Sequence, residues 1–481
     1  MTELTRNKQS RPEEERSSRN AALLVATLVS FLTPFMGSAV NIALPVMGTY
    51  FSMNAVLLSW VATAYLLAAA MFLVPFGKIA DIHGRKKIFT YGIMIYTFSS
   101  FLCGIAPSAV SLILFRVIQG IGSAMIFGTA IAILTSVFAP HERGRVLGIN
   151  VSAVYIGLSV GPFIGGILTE QLGWRSVFLI NVPLGAIIIA TVAWKLKGEW
   201  AGARGEKLDY LGSLIYGISL LFLTYGLSRL PGFLGATLIG AGVVGIIIFV
   251  LYELKVENPV VNMNLFRQNT VFAFSNLAAL INYSATFALG FLLSLYLQHI
   301  KGYGPQAAGL ILVAQPVMMA LFSPFAGRLS DRVEPRVVAT TGMAITTLGL
   351  VILSFIDEET SLFLIVTVLM ILGFGFALFS SPNTNAIMGS VVKKYYGVAS
   401  AMVGTMRLVG QVFSMGVAML IFALIMGTVQ ISPEIHVPLV RSIAICFIIF
   451  SILCFMGVFA SLARGRLRHP PAEVKERSPR Q

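Results

Sequence analysis

The chain has 481 residues, 57% of them hydrophobic and 11% charged, and a formal net charge of +14. A soluble domain carries about 25% charged residues, so the composition excludes an ordinary soluble protein. The apolar residues fall into fourteen runs, each long enough to cross a hydrocarbon core as a helix of roughly 20 residues. None alternates polar with apolar positions, which excludes a β-barrel. The predicted fold class is an all-α polytopic membrane protein.

The first twenty residues are polar and mixed in charge. They lead into a span too long for a signal-peptide core, so no cleavage is expected. The predicted spans are 21–49, 55–76, 88–106, 110–138, 144–168, 174–195, 209–229, 232–253, 271–298, 305–326, 337–356, 361–383, 397–427 and 438–462. With the N-terminus inside, the alternating cytoplasmic segments hold 28 of the 34 basic residues. That asymmetry puts both termini in the cytoplasm, and the expected location is a prokaryotic cell (inner) membrane. It also explains the net charge without a nucleic-acid partner.

Span one contains FMGSAVNIALP (35–45), with Asn41 in an apolar setting and Pro45 closing the stretch. The loop after span two reads GKIADIHGRKK, residues 77–87. Gly77 and Gly84 are expected to make a tight turn there. Span four carries Arg116 and Gln119. A charge at bilayer depth costs about 2.5–3.5 kcal/mol on insertion scales and faces a bundle interior or a wet cavity. Span five places Gly157, Gly161 and Gly165 on one face beside Pro162, a pattern for close helix approach and a bend. Glu170, near the end of that span, is the acid nearest to membrane depth.

A second loop, GRLSDRVEPR (327–336), repeats the first at an offset of 250 residues, with Asp331 aligned to Asp81. The repeat implies two similar six-span halves, a known transporter plan with a substrate site between the halves. The expected units are a tail at 1–20, halves at 21–195 and 254–462, two additional spans within 196–253, and a tail at 463–481. Arg407 lies deep in span thirteen. Polar residues inside apolar spans are candidates for a central cavity: Tyr65, Asn150, Tyr155, Asn276, Asn282, Gln315, Asn383, Asn385 and Gln411. Interhelical hydrogen bonding is the competing role for each. Cys103, Cys446 and Cys454 read as packing residues. No His, Cys and carboxylate cluster suggests a metal or a nucleophile, and no phosphate-binding G-x-x-x-x-G-K-[ST] run occurs. No cofactor is expected, nor an enzymatic activity.

The loop residues Gly77, Asp81, Gly84, Arg85, Lys86 and Lys87, the runs RVIQGIG (116–122), GLSVGPFIGG (157–166) and WRSVFLINVPLG (174–185), and Asn41, Ala43, Leu44 and Pro45 carry a resemblance over residues 21–462. On these the chain resembles the major facilitator superfamily, and within it the fourteen-span drug:proton antiporter group. The resemblance implies two six-helix halves plus two central helices, rocking about a central site. It implies export of amphipathic small molecules with H+ as coupling ion, and a monomer solvated by lipid. It ties Arg116 to proton movement and puts the span-five glycines at a pivot between the halves. The group's first-span signature carries an Asp where this chain has Met36, so the expected substrates are neutral or anionic, with Met36 and Asn41 lining the cavity. Asp81 is expected to latch onto the start of span thirteen near Gly397 and Ser400, and Arg85 to pair with Glu142. Alternatives are a facilitator or carrier of anionic or lipid-like solutes, a non-transporting receptor or scaffold, and, weakest, an intramembrane hydrolase.

Overall fold

The computed structural model describes residues 2–139, 142–257, 259–392, 396–427 and 436–465. The described residues form helices, turns and loops, with no strand among them. The N-terminal half contains α1 (Ser17–Tyr50), α2 (Ala55–His83), α3 (Arg85–Gly104), α4 (Ala109–Val137), α5 (Arg143–Leu172) and α6 (Arg175–Lys195). Two further helices follow, α7 (Tyr210–Arg229) and α8 (Phe233–Glu253). The C-terminal half contains α9 (Thr270–Ile300), α10 (Pro305–Ser330), α11 (Pro335–Leu353), α12 (Leu362–Gly389), α13 (Tyr396–Ile425) and α14 (His436–Ala463). Thirteen are long and apolar enough to cross a membrane. The fourteenth, α3, begins on Arg-Lys-Lys and is diluted by Thr, Tyr and Ser, yet packs in the same bundle along α4 and α6.

The helix starts are set locally. Asn54 accepts from Leu57 N at 2.8 Å, and Ser108 and Ser111 form a reciprocal capping box at the start of α4. Pro305 and Pro335 open α10 and α11, where a missing N–H costs no helical bond. Only one of the two loop glycines makes the turn. Gly84 has φ +117°, whereas Gly77 lies inside α2, where Gly128 of α4 packs against its backbone.

In the N-terminal half α1 packs along α5, and α4 packs on α2 and α3. In the C-terminal half α12 packs on α10 and α11, and α9 on α13 and α14. Helix association in a membrane has no hydrophobic driving force, so close approach through small residues matters most. A Cβ on Gly120 would lie 2.4 Å from the Tyr65 carbonyl, and one on Gly373 would lie 2.3 Å from the Gln315 carbonyl. Gly122 is likewise pressed on Gly92, and Gly375 on Gly342. Tyr65 and Gln315, like Gly92 and Gly342, differ by the 250 residues that separate the two loops. The sequence repeat is therefore also a repeat of packing.

The halves meet along two seams, α2 with α13 and α5 with α10, and α1 also touches α9. The α7–α8 pair packs on itself, and α7 lies against both α2 and α13. The Tyr216 hydroxyl donates to the Ala70 carbonyl at 3.3 Å, and the Trp60 and Tyr225 rings are 6.1 Å apart.

Candidate functional site at the seam between the halves

We term the side bearing the α2–α3 and α10–α11 loops the basic face and the opposite side the far face. Arg407 lies 11 residues into α13, about 16 Å of helix rise from the basic face. Its guanidinium sits over the Phe127 ring of α4, across the seam, 5.1 Å from the centroid. A Cβ on Gly410, about one turn along α13 from Arg407, would lie 2.8 Å from the Tyr283 Cβ of α9. Tyr283 meets Phe376 of α12 edge to face at 5.6 Å. One cation thus stands at mid-depth among aromatic side chains from both halves. Aromatic faces attract a guanidinium and also stack on planar solutes.

Arg116 is placed differently. It is 1% exposed and committed to the N-terminal half. Its Nε donates to the Val61 carbonyl at 2.9 Å and its Nη1 donates to Gln119 Oε1. Gln119 Nε2 donates to Ser100 Oγ at 2.7 Å, and the Tyr65 ring lies 4.3 Å from the guanidinium carbon. Tyr65 closes the network through its hydroxyl on Ser123 Oγ at 2.7 Å. Every one of these hydrogen-bond partners is neutral, and together they tie α2, α3 and α4.

Several expected cavity residues turn inward within their own half. Met36 is fully buried, with Asn181 Nδ2 of α6 at 3.1 Å from its sulfur, so it lines no void here. Asn150 donates to the Ala26 carbonyl of α1 at 3.1 Å, and Asn276 to the Phe272 carbonyl of its own helix. Asn383 donates to the Ser275 carbonyl and accepts from Arg464 at 2.9 Å. Asn385 Nδ2 donates to Ser330 Oγ. Asn282 is fully buried in α9, and neither atom of its amide has a partner among the described residues. Burial forces most of these amides to spend their donors on nearby carbonyls, which is why they do not gather at one site. Asn41, Tyr155, Gln315, Arg407 and Gln411 remain half-buried, and Asn41 Nδ2 faces Gly290 of α9 across the seam. The side chain of Asp331 lies outside the described residues.

The span-five glycines also serve a different contact from the one expected. Cβ atoms on Gly157, Gly161 and Gly165 would meet Phe31, Ser38, Phe35 and Ala39 of α1, inside the half. The neighbouring face of α5, one residue round the helix, makes the seam. A Cβ on Gly309 would lie 2.1 Å from the Pro162 carbonyl, and one on Gly166 would lie 2.6 Å from that of Pro305. The far face is closed at this point. Glu170 is exposed at the end of α5 and accepts from the Gln306 N–H of α10 at 2.9 Å. Gln298 Nε2 donates to the Ile42 carbonyl at 2.9 Å.

At the basic face Asp81 pairs with Arg85, Oδ1 to Nη2 at 2.7 Å, rather than with α13. Arg85 also donates to the Ala132 carbonyl and Ser136 Oγ of α4, while Glu142 pairs with Arg19. The two lie four residues apart across the turn at Gly84, so the pair forms locally. Sequence reasoning missed the strap that follows α6. Glu199 accepts from the Lys86 and Lys87 N–H groups at 2.8 and 3.1 Å, capping α3. The Arg85 N–H donates to the Trp200 carbonyl, and the Ala203 N–H to that of Asp81. Arg464, just past α14, is the counterpart in the other half. It donates to Pro335 O, Asn383 Oδ1 and the Ser275 and Ser461 hydroxyls, and burial pulls its guanidinium down to about 10.

Two packed half-bundles related by an internal repeat, joined by two seams and enclosing one mid-depth cation, define a secondary membrane transporter. The sequence profile of the Major Facilitator Superfamily matches residues 26–252 and 276–481, and the chain belongs to that family. It is 31% identical over 388 residues to the riboflavin transporter RibZ of Clostridioides difficile, covering 80% of this chain and 84% of that protein. It is 30% identical over 402 residues to the multidrug resistance protein Stp of Mycobacterium tuberculosis, covering 82% and 74%. In fold it resembles a bacterial homologue of the human lysosomal transporter Spinster, solved inward-facing and unoccupied, with TM-score 0.69, 17% identity and 93% and 97% of the two chains covered.

Proposed function

We propose that this chain exports amphipathic, neutral or anionic small molecules by alternating access, with the solute held at the seam around Arg407. Residues 21–195 and 254–462 are the rocking halves and 196–253 the accessory segment. The observation that carries this reading is the cross-seam placement of Arg407 over Phe127, with Tyr283 of α9 packed about one turn further along α13. A fixed cation among aromatic walls favours planar solutes with a negative end and disfavours dications. The names of the relatives, a riboflavin transporter and a multidrug resistance protein, fit a planar aromatic cargo. The excess of Lys and Arg on one side supports a cytoplasmic location for both termini. Proton coupling belongs to this reading as its driving force.

The test is a proteoliposome assay under an imposed pH gradient, with labelled planar anions, neutral amphiphiles and dications. Anions and neutral amphiphiles are expected to move, and only with the gradient. Arg407→Gln is expected to lower anion transport about tenfold or more, the equivalent of one lost charge-assisted contact, with neutral solutes less affected. Vigorous export of dications, or an unchanged Arg407→Gln, overturns the site. Equal transport without the gradient identifies a facilitator instead.

A further inference from the structure

The accessory helices carry a feature that the seam does not use. Asp209 caps the start of α7, and Glu253 is the last residue of α8. They are 9% and 2% exposed. One oxygen of each has an ordinary role. Asp209 Oδ1 accepts from the Gly212 N–H at 2.8 Å and from the Tyr252 hydroxyl at 3.3 Å, and Glu253 Oε2 accepts from the Val261 N–H at 2.8 Å. The other two, Asp209 Oδ2 and Glu253 Oε1, are buried and receive no donor from any other group among the described residues. Both point at one spot. A Cβ on Gly212 would lie 2.4 Å from each of them, so they are at most twice that distance apart. The free oxygens of two buried acids thus share one small volume beside Gly212.

Two ionised carboxylates cannot satisfy each other there, because neither has a hydrogen to give. A proton on either one supplies the donor and removes one of two buried like charges. The groups facing the pair offer no other compensation. From α7 come the Gly212 N–H and from α8 the Tyr252 hydroxyl, and the segment after α8 gives the Val260 and Val261 N–H groups. Among the described residues neither carboxyl forms an ion pair with a Lys or Arg, although Lys207 and Lys255 are near in sequence. Gly212 leaves the spot between the oxygens open.

We propose that Asp209 and Glu253 form a proton-binding site at the basic-face end of the accessory pair, holding one proton between them and fastening the lead into α9 through Val261. The proton belongs to the pair, which takes it up and releases it as a unit. Its loss puts two negative charges in contact and loosens the 254–262 segment.

The test uses the full-length protein in lipid nanodiscs and needs no transport, so its outcome is independent of the export reading. Infrared difference spectra are recorded across a pH titration. Wild type is expected to show one protonated-carboxyl band per chain that bleaches as pH rises, the protonated fraction falling about tenfold per unit above the midpoint. Asp209→Asn and Glu253→Gln are each expected to abolish the band, since the remaining carboxylate then faces an amide N–H. Asn also keeps the cap on α7. Hydrogen exchange of the 254–262 peptide is expected to quicken at high pH in wild type beyond the intrinsic rate, and to lose that excess in both variants. Gly212→Ala, which fills the spot without removing either acid, is expected to shift the midpoint. A band that survives both substitutions overturns the proposal. A band that appears only when sodium is withdrawn also does so, in favour of a bound metal cation.

Discussion

Glu170, the last acid of α5, accepts from the backbone N–H of Gln306 in the first turn of α10, at 2.9 Å. A carboxylate at a helix start satisfies an otherwise unpaired donor and the helix dipole together. Here donor and acceptor belong to different halves, so the bond exists only while the far face is closed. Glu170→Ala is expected to raise the far-face-open population about two- to fivefold, the range set by a dipole interaction at an exposed site. Spin-label distances between the far-face ends of α5 and α10 measure it. An unchanged distance distribution shows that the bond does not bias the closure.

The two glycine contacts of α5 predict opposite phenotypes. Gly161→Leu drives a side chain into Ser38 and the Phe35 carbonyl, inside the half. The expected result is a loss of about 1–3 kcal/mol from overpacking, read as a lower Tm of the purified protein. Gly309→Val meets the Pro162 carbonyl across the seam instead. It is expected to leave Tm within a degree or two while trapping the far face open, seen as lasting reactivity of a cysteine introduced beside Pro305. Equal loss of Tm in both variants would place both contacts on the same footing.

The contrast shows which parts of the architecture were legible in the sequence. Helix number and rough position follow from apolar run length, because a bilayer imposes it, and the 250-residue repeat follows from the loop motifs. Helices α2 and α12 run on to His83 and Gly389, past the predicted ends at 76 and 383, because a helix does not stop where its apolar run does. The stripe at Gly157, Gly161 and Gly165 was legible as a packing face, but its partner was not. Spacing says which residues share a face and nothing about which neighbour meets it. The buried amides of Asn150, Asn276 and Asn383 stood out as polar residues in apolar runs. Cavity and interhelical roles give the same sequence signal, and only the structure shows their donors spent on Ala26, Phe272 and Ser275. Glu199, Arg464 and the pair of Asp209 and Glu253 carried no signal, since each is an ordinary charge at a span end until folding brings its partner.

Arg116 is held by geometry that a lysine cannot copy. Its fork donates to the Val61 carbonyl and to Gln119, and its guanidinium carbon lies over the Tyr65 ring. Lysine carries the charge on a point and has no planar face. Arg116→Lys is expected to cost about 1.5–3 kcal/mol, the value of a charged hydrogen bond removed from a buried network. Gln119→Leu, which leaves Nη1 without its acceptor, is expected to fall in the same range. Thermal unfolding of the detergent-solubilised protein checks both. A role in proton movement alone would lower transport in these variants with no change in Tm.

Glu199 fastens the α6–α7 connection onto the turn between α2 and α3. Its two carboxylate oxygens accept from consecutive N–H groups, Lys86 and Lys87, that α3 itself leaves unsatisfied. Gly84 has no side chain to obstruct them, and a Cβ there would lie 2.5 Å from the Glu199 carboxyl carbon. The acid therefore acts as a helix cap supplied from 113 residues away in sequence. Caps of this kind contribute about 1 kcal/mol. Glu199→Ala is expected to speed hydrogen exchange of the Lys86 and Lys87 amides about fivefold, with exchange across 200–206 rising as the strap lifts. Glu199→Gln keeps one acceptor oxygen and is expected to show a smaller change at the amide facing that oxygen. A Glu199→Ala protein with wild-type exchange at Lys86 and Lys87 would mean that the rest of the strap, through the Trp200 and Asp81 carbonyls, holds the turn without it.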